Sequence, residues 1–347
     1  MPSLMQQEAL HAPAKLAEHI KANAPLWQAI KARLAKIPPP FALTVARGSS
    51  DHAAYFAKYL LTTQCGWVSA SFSPSMLTLY QAKPQLKNAL VLALSQSGQG
   101  PDVCEVMRYA RAQGAVTVAL VNDAASPLAA EAEFVIPLLV GRERAVAATK
   151  SFLAMVAGML QGVAILTESK PLNAALEALP EQLALAAECQ WPDFIDTFSA
   201  PQAGWALGRG FGLPIAHEAA LKCKEVAGLH MEALSSAEVL HGPFALVKPN
   251  YPVLLFGQDD ATLPGTLEVA ERMTALGCKT LLALAEDVCH NATQKVSACL
   301  PLPPRLHPLC DPLVAMEAFY LAVERLSHIR GIDPDQPPHL SKVTKTR

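Results

Sequence analysis

One pattern governs what this chain can fold into. Short, almost wholly apolar runs alternate with longer stretches of helical spacing, and several of the runs end in glycine and serine. The runs are Phe41 to Ala46, Trp67 to Ser71, Ala89 to Leu94, Val116 to Val121 and Phe134 to Pro137. After a break they resume at Gly204 to Leu207, Tyr251 to Phe256, Cys278 to Ala283 and Ser297 to Leu300. A strand with no polar face must be covered on both sides, which means a parallel sheet whose crossovers are helices. The predicted fold class is therefore α/β, with parallel sheets flanked by helices in three αβα layers. Such sheets place ligands at the carboxyl ends of their strands.

The helical stretches fit between the runs. They extend to about Gln64 after Gly48, from Pro101 to near Gly114, from about Ala147 to Glu168, from near Pro214 to near Gly228, over 262–275 and over 312–330, with a short one opened by Pro74. Residues 173–190 read as helical with a break at Pro180, and residues 3–36 as two short helices separated at Pro25, because proline interrupts a helix interior. Pro38-Pro39-Pro40 is a stiff spacer. The two halves share one grammar: a strand, then Arg-Gly-Ser-Ser or Gly-Arg-Gly, then a helix. The expected organisation is an N-terminal helical segment over 1–37, a first α/β domain over 38–170, a helical linker over 171–195, a second α/β domain over 196–330 and a tail over 331–347. Prolines 334, 337 and 338 bar a regular helix from that tail, and composition alone reads it as disordered.

With 347 residues, 51% of them hydrophobic and 17% charged, the chain can fill two cores and is too apolar to be disordered. The 28 Lys and Arg nearly balance the 30 Asp and Glu, and no basic stripe stands out, which disfavours nucleic acid as a partner. The eight cysteines include no CxxC pair and read as free thiols of a reducing compartment. The N-terminus lacks the apolar core of a signal peptide, and the most apolar stretch, Phe152 to Leu166, is interrupted by Gln161. A soluble, cytoplasmic protein is the expectation, with no membrane partner.

Three groups of residues stand out. Gly48, Ser49 and Ser50 follow one strand, and Ser95, Gln96, Ser97, Gly98 and Gly100 follow a neighbouring one. Hydroxyls beside helix N-termini suit a phosphate, although single serines at such places also serve as helix caps. The spacing is neither a P-loop nor a dinucleotide fingerprint. Lys222 and Glu225, three apart, share a helix face. That spacing alone also fits a surface ion pair, but neighbours Ala219, Ala220, Leu221, Cys223, Val226 and Ala227 suggest a buried helix, where a charge needs a purpose. His241 sits at a Gly-Pro turn, solvent-facing, although a lone histidine is as readily structural. No HxxH or HExxH set occurs, so a metal site has little support, and no organic cofactor is expected.

The segments Ser95-Gln96-Ser97-Gly98, Val146-Ala147-Ala148-Thr149-Lys150, Gly208-Arg209-Gly210, Ala220 to Glu225, His241-Gly242-Pro243 and Asp335-Gln336-Pro337 leading to Lys342 occur in the order of a known family. Over about residues 40–347 the chain resembles the sugar isomerase (SIS) family in its double-SIS form. That form occurs in the isomerase half of glutamine–fructose-6-phosphate aminotransferase and, most closely, in stand-alone class II glucosamine-6-phosphate deaminases. The resemblance implies two SIS domains of flavodoxin-like type, binding of a sugar 6-phosphate by Gly48, Ser49, Ser50, Ser95, Gln96 and Ser97, and sugar contacts from Ala147 and Ala148. It implies proton transfer between C1 and C2 by Glu225 with Lys222 assisting, and ring opening by His241 from the other subunit of a homodimer. It also implies that Lys342 lies on an ordered tail folded over the sugar, which replaces the composition-only reading.

The function so implied is deamination of glucosamine 6-phosphate to fructose 6-phosphate and ammonia. Fructosamine-6-phosphate deglycase, galactosamine-6-phosphate deaminase and plain aldose–ketose isomerase share the same base and remain alternatives, and a sugar-phosphate-sensing module without turnover is the non-enzymatic one. The chain departs from the family pattern in three places. It begins Met1-Pro2-Ser3 with no glutamine-hydrolysing segment, so glutamine-dependent synthesis is not expected. Gly100 stands where the phosphate loop usually has a hydroxyl, and Ala148 where the aminotransferase pattern has serine.

Overall fold

The structure is a computed structural model that describes residues 2–290 and 292–342. The chain opens with α1 (Leu4–Leu10) and α2 (Ala12–Lys36) and continues through β1 (Ala42–Val45), α3 (Ser49–Cys65), β2 (Ser69–Ser71), α4 (Ser75–Thr78), β3 (Leu90–Ser95), α5 (Pro101–Ala112), β4 (Val116–Val121), α6 (Pro127–Glu131), β5 (Phe134–Pro137) and α7 (Lys150–Leu166). Then follow α8 (Lys170–Ala186), α9 (Pro192–Phe198), β6 (Ala203–Gly208), α10 (Gly212–Ala227), β7 (His230–Ser235), β8 (Pro252–Phe256), α11 (Leu263–Ala275), β9 (Lys279–Ala285), α12 (Glu286–Cys289), β10 (Ala298–Leu302) and α13 (Asp311–Ile329). Two parallel sheets result, ordered β2-β1-β3-β4-β5 and β10-β9-β8-β6-β7. Read from its earliest strand, each is the doubly wound order in which the chain reverses direction between its first and third strands. The α/β class expected from the apolar runs is the observed one.

Contacts divide the chain into two compact units that do not follow sequence order throughout. One holds Ala14–Glu143 and Lys150–Glu177 together with the end of the tail from Ser341. The other holds the N-terminal segment to Pro13, Arg144–Thr149 and Ala178–Leu340. In the first, Val91, Ala93, Val106, Met107 and Ala119 pack into a buried cluster on the sheet. In the second, Trp205, Leu207, Val253, Leu255, Met273 and Leu282 do the same. In that second unit the tail is tied to the N-terminal segment. Asp335 accepts the Leu4 and Met5 amides at 2.6 and 2.9 Å, capping α1, and the Ser3 hydroxyl donates to buried Glu324 at 2.7 Å. Among the described residues no helix is long and apolar enough to cross a membrane, and all eight cysteines are free thiols.

Two expected helix breaks do not occur, and some elements have no clear signal in the sequence. Pro25 and Pro180 break nothing: each lies inside one continuous helix, and the N-terminal break falls at His11 instead. A mid-helix proline costs about 3 kcal/mol, and burial of Leu16, Trp27, Ile30 and Leu34 along α2 offsets it. Strand β7 is absent from the reading because, as an edge strand, its sequence HMEALS has one fully buried side chain, Met231. Its pairing to β6 in register Ala203↔His230 to Gly208↔Ser235 is a tertiary fact. The short α9 also went unread, and it is held by Phe194 and Phe198 in the core.

In the first unit α2 approaches α7 closely. A Cβ at Gly162 would lie 2.7 Å from the Trp27 ring, and one at Gly158 would lie 2.9 Å from His19 Nε2. His19 is fully buried, its Nδ1 3.0 Å from the Leu138 carbonyl oxygen. Burial outweighs that contact and pushes its pKa down from 6.5 to about 4.

Two outcomes follow from this packing. Gly162→Ala should destabilise by roughly 1–3 kcal/mol through overpacking against Trp27, despite up to about 1 kcal/mol gained in helix propensity, as read from urea midpoints. Because His19 stays neutral in the fold while the unfolded chain takes up a proton near pH 6.5, stability is complete above that pH. It falls between there and about pH 4, by on the order of 3 kcal/mol. A His19→Gln protein should show a flatter urea midpoint across that window.

Candidate active site

In the first unit β1 and β3 lie side by side, Val45 opposite Ala93, so both of their carboxyl-end turns open on the same sheet end at the point where the chain reverses direction. From β1 the chain passes Arg47 and Gly48 (φ +56°) and enters α3 at Ser49, so the Ser49 and Ser50 amides belong to its first turn. From β3 it passes Ser95, Gln96 and Ser97, all half-buried. The Ser95 hydroxyl accepts the Gly98 amide at 3.0 Å and that of Ser97 the Gln99 amide at 3.3 Å, which folds the loop into a tight cup. Gly98 must be glycine: its φ is +63° and a Cβ would sit 2.2 Å from Ser126 Oγ. The sequence-read serines therefore do come together in adjacent turns.

The same unit explains Gly100. A side chain there would begin 3.2 Å from Asp102 Oδ1. Asp102 is buried, and its other oxygen takes Nη2 and Nε of Arg47 at 2.8 and 3.1 Å. Where the family pattern has a hydroxyl, this chain carries an anchored guanidinium beside the cup. Sequence reading passed over Arg47 because its partner lies 55 residues away.

The second unit has the equivalent turns, but they are closed on their own polar groups. Gln258 donates to Asp260 at 2.9 Å, and Asp260 in turn accepts the Thr262 amide and hydroxyl at 2.7 and 2.6 Å. Asp259 is paired with Arg305. The β8 turn is thus acidic and bonded to itself, although Arg209 follows β6, and among the described residues the paired serine turns occur at the first sheet.

What the second unit contributes lies on α10. Glu218, Lys222 and Glu225 are spaced by four and three residues and share one stripe of the helix. Lys222 is fully buried, 3.4 Å from Glu218 and hydrogen-bonded to Glu225. Tyr320 of α13 donates its hydroxyl to Glu218 at 3.4 Å. Burial alone would lower the Lys222 pKa, but the two carboxylates outweigh it and raise it above the ordinary lysine value. Lys222 thus stays an ammonium with carboxylates on two sides. Glu218 is as buried as the lysine, whereas Glu225 keeps 19% of its side chain exposed. It lines a cavity of about 450 Å³ with Leu221, Lys224, Gly228, Ile332, Pro338 and Leu340. That volume accommodates a small phosphorylated sugar. Glu317 on α13 shows the opposite solution: buried with no hydrogen-bond partner among the described residues, it has its pKa pushed well above the usual glutamate range by burial.

His241 follows a single 3₁₀ turn, Glu238–Leu240, and stands exposed on the surface, its amide bonded back to the Glu238 carbonyl. Ala147 is buried and Ala148 half-buried in the segment before α7, which begins at Lys150 rather than Ala147. Lys342 reaches Glu143 at 2.8 Å in the first unit. Val343, Thr344 and Lys345, part of the tail named from sequence, lie outside the described residues. Among the described residues no cluster of His, Cys, Asp or Glu is placed to hold a metal ion. Glu218 and Glu143 escaped the sequence reading. Glu218 had a signal, its helical spacing from Lys222, while Glu143 and Tyr320 had none, their partners lying 199 and 102 residues away.

Two flavodoxin-type sheets in one chain, with serine turns at the first reversal point, match the double-SIS architecture, and sequence comparison agrees. Residues 42–163 match the SIS domain family. A protein of Silicibacter pomeroyi DSS-3 assigned as a phosphosugar isomerase is 38% identical. Its crystal structure superposes with a TM-score of 0.89 over 96% of this chain and 100% of that one. The C-terminal domain of glucosamine-fructose-6-phosphate aminotransferase from Francisella tularensis is 25% identical, with a TM-score of 0.87 over 97% and 99%. Glutamine–fructose-6-phosphate aminotransferase of Bradyrhizobium diazoefficiens is 30% identical over 308 residues, 86% of this chain and 50% of that protein. The chain spans about half the length of the curated relatives it matches. It belongs to the double-SIS phosphosugar isomerase family.

The α10 stripe has an energetic signature. Lys222→Met should destabilise by about 3–5 kcal/mol, because it removes the ammonium that lies against the buried Glu218 carboxylate. Combining it with Glu218→Leu should restore most of that loss in urea denaturation, since removing both charges removes the desolvation penalty.

Proposed function

We propose that the chain is a phosphosugar enzyme of the isomerase and deaminase type, and specifically a glucosamine-6-phosphate deaminase. The observation that carries this reading is the Lys222–Glu225 pair. A carboxylate is held by a buried ammonium on one side and borders a sugar-sized cavity on the other, which is what a base moving a proton between neighbouring carbons requires. The serine cup of the first unit, with Arg47 beside it, is an anion cradle of the kind the family resemblance assigns to a sugar 6-phosphate.

The steps follow from the groups assigned through the family resemblance. His241, provided by a second copy of the chain, protonates the ring oxygen and opens the hexose. Glu225 takes the proton from C2, giving an enolamine, and returns it to C1. Positive charge from Lys222, acting beside Glu225, offsets the charge that develops on O1 as it gains its proton. The C2 imine then adds water and expels ammonia, leaving fructose 6-phosphate. The family resemblance assigns sugar contacts to Ala147, Ala148 and Lys342.

Incubating the purified chain with glucosamine 6-phosphate should release ammonia and fructose 6-phosphate in equal amounts. Glu225→Gln should lower turnover by roughly 10²–10⁴ while leaving substrate binding within a few-fold. Ammonia from galactosamine 6-phosphate alone, cleavage of fructosamine 6-phosphate, or ketose–aldose interconversion without ammonia would each replace the substrate assignment. Tight binding with no turnover of any of them would make the chain a sensor.

A further inference from the structure

The tail's last described residue is held by a group that nothing in the proton-transfer scheme uses. Glu143 lies in the segment between β5 and α7, and its side chain is wholly removed from solvent. Among the described residues three donors meet it. Lys342 Nζ lies 2.8 Å from Oε2, the Ser151 hydroxyl donates to the same oxygen at 2.7 Å, and the Ser151 amide donates to Oε1 at 3.1 Å. Ser151 is in the first turn of α7, where the helix dipole favours a negative charge. Burial by itself would push the Glu143 carboxyl up, but the Lys342 ammonium and the Ser151 donors outweigh it and hold it below the usual glutamate range. The neighbouring Lys150 spends its own ammonium on the Arg142 carbonyl at 2.9 Å, so the segment bearing Glu143 is fixed as well.

A carboxylate buried in this way is costly without a cation. Ser151 alone supplies hydrogen bonds but no charge. Lys342 supplies the charge from a stretch, 331–342, that contains no helix or strand, and it keeps 20% of its side chain exposed. The pair therefore fixes in space the charged end of an otherwise irregular segment, while leaving part of the ammonium facing outward.

We propose that Glu143 is the positioning residue for Lys342, a buried latch that holds the tail's ammonium at one place so that a phosphorylated sugar meets a preset cation. This rests on the reading of Lys342 as a sugar-facing residue, but the latch has a readout of its own. The rate at which an amine-acylating reagent modifies Lys342, followed by peptide mass spectrometry with exposed Lys83 as internal reference, reports whether the ammonium is held. Glu143→Gln should raise that rate roughly tenfold, the factor expected from losing a charge-assisted hydrogen bond, and Glu143→Asp should restore part of the protection. In turnover, Glu143→Gln should lower kcat more than it raises KM, to about the level of Lys342→Met, and the double variant should be no worse than either.

An unchanged rate of Lys342 modification in Glu143→Gln would overturn the latch, whatever the enzyme does. Faster modification in Glu143→Gln, alongside a wild-type protein that turns over none of the sugar phosphates, would leave the latch standing and remove the functional reading instead. Should Glu143→Gln fail to fold, Lys342→Met decides, because it breaks the pair from its exposed side. Faster hydrogen exchange over residues 331–342 supports the latch, and unchanged exchange overturns it.

Discussion

Parallel pairing of strands that are apolar on both faces is the constraint from which the rest of the molecule follows. Such strands require a covering crossover after each one, so all their carboxyl ends point the same way and the connecting turns gather at one end of the sheet. The chain applies this twice with the same strand order. Each sheet thereby acquires a reversal point between its first and third strands, where two turns diverge and leave room for a ligand. What separates the two units chemically is the content of those turns. One pair presents serines, a sharp glycine and an anchored arginine, and in the other Gln258 donates to Asp260, which accepts the Thr262 amide.

Buried charge is the second organising feature. A lysine or glutamate taken out of water costs several kcal/mol unless it is paired, and both units contain one that is fully paired. On α10 a lysine lies between two glutamates, so its charge is retained and one carboxylate is left at the edge of a cavity. In the first unit a glutamate is surrounded by a serine and the tail's lysine. Glu317, buried with neither oxygen partnered among the described residues, shows the contrast: the carboxyl pKa rises well above its usual range. Charge is thus kept where a neighbour of opposite sign has been built in.

Much of the fold was legible in the sequence because its cause is local. The runs Val116 to Val121 and Phe134 to Pro137 coincide with β4 and β5, and Gly228 ends α10 in the left-handed conformation expected of a helix-terminating glycine. Where local rules erred, tertiary burial had outweighed them. Pro25 and Pro180 sit inside helices whose apolar faces are packed, and β7 is a strand by virtue of the neighbour it pairs with. Of the candidate site, the serine turns and the Lys222–Glu225 spacing were visible, since each is a short-range pattern. Glu218 followed the same spacing and was overlooked.

By itself, then, the sequence determined the α/β class, the two sheets, the glycine-serine turns and the helix face shared by Lys222 and Glu225. All of these depend on residues within a few positions of one another, where propensity and periodicity act. Only the tertiary structure decided that Asp102 anchors Arg47 beside the cup, that Tyr320 meets Glu218, that Asp335 caps α1 and that Glu143 holds Lys342. Those pairs join residues between 55 and 331 positions apart. A charge finds such a partner only after the sheets have formed and burial has made leaving it unpaired costly.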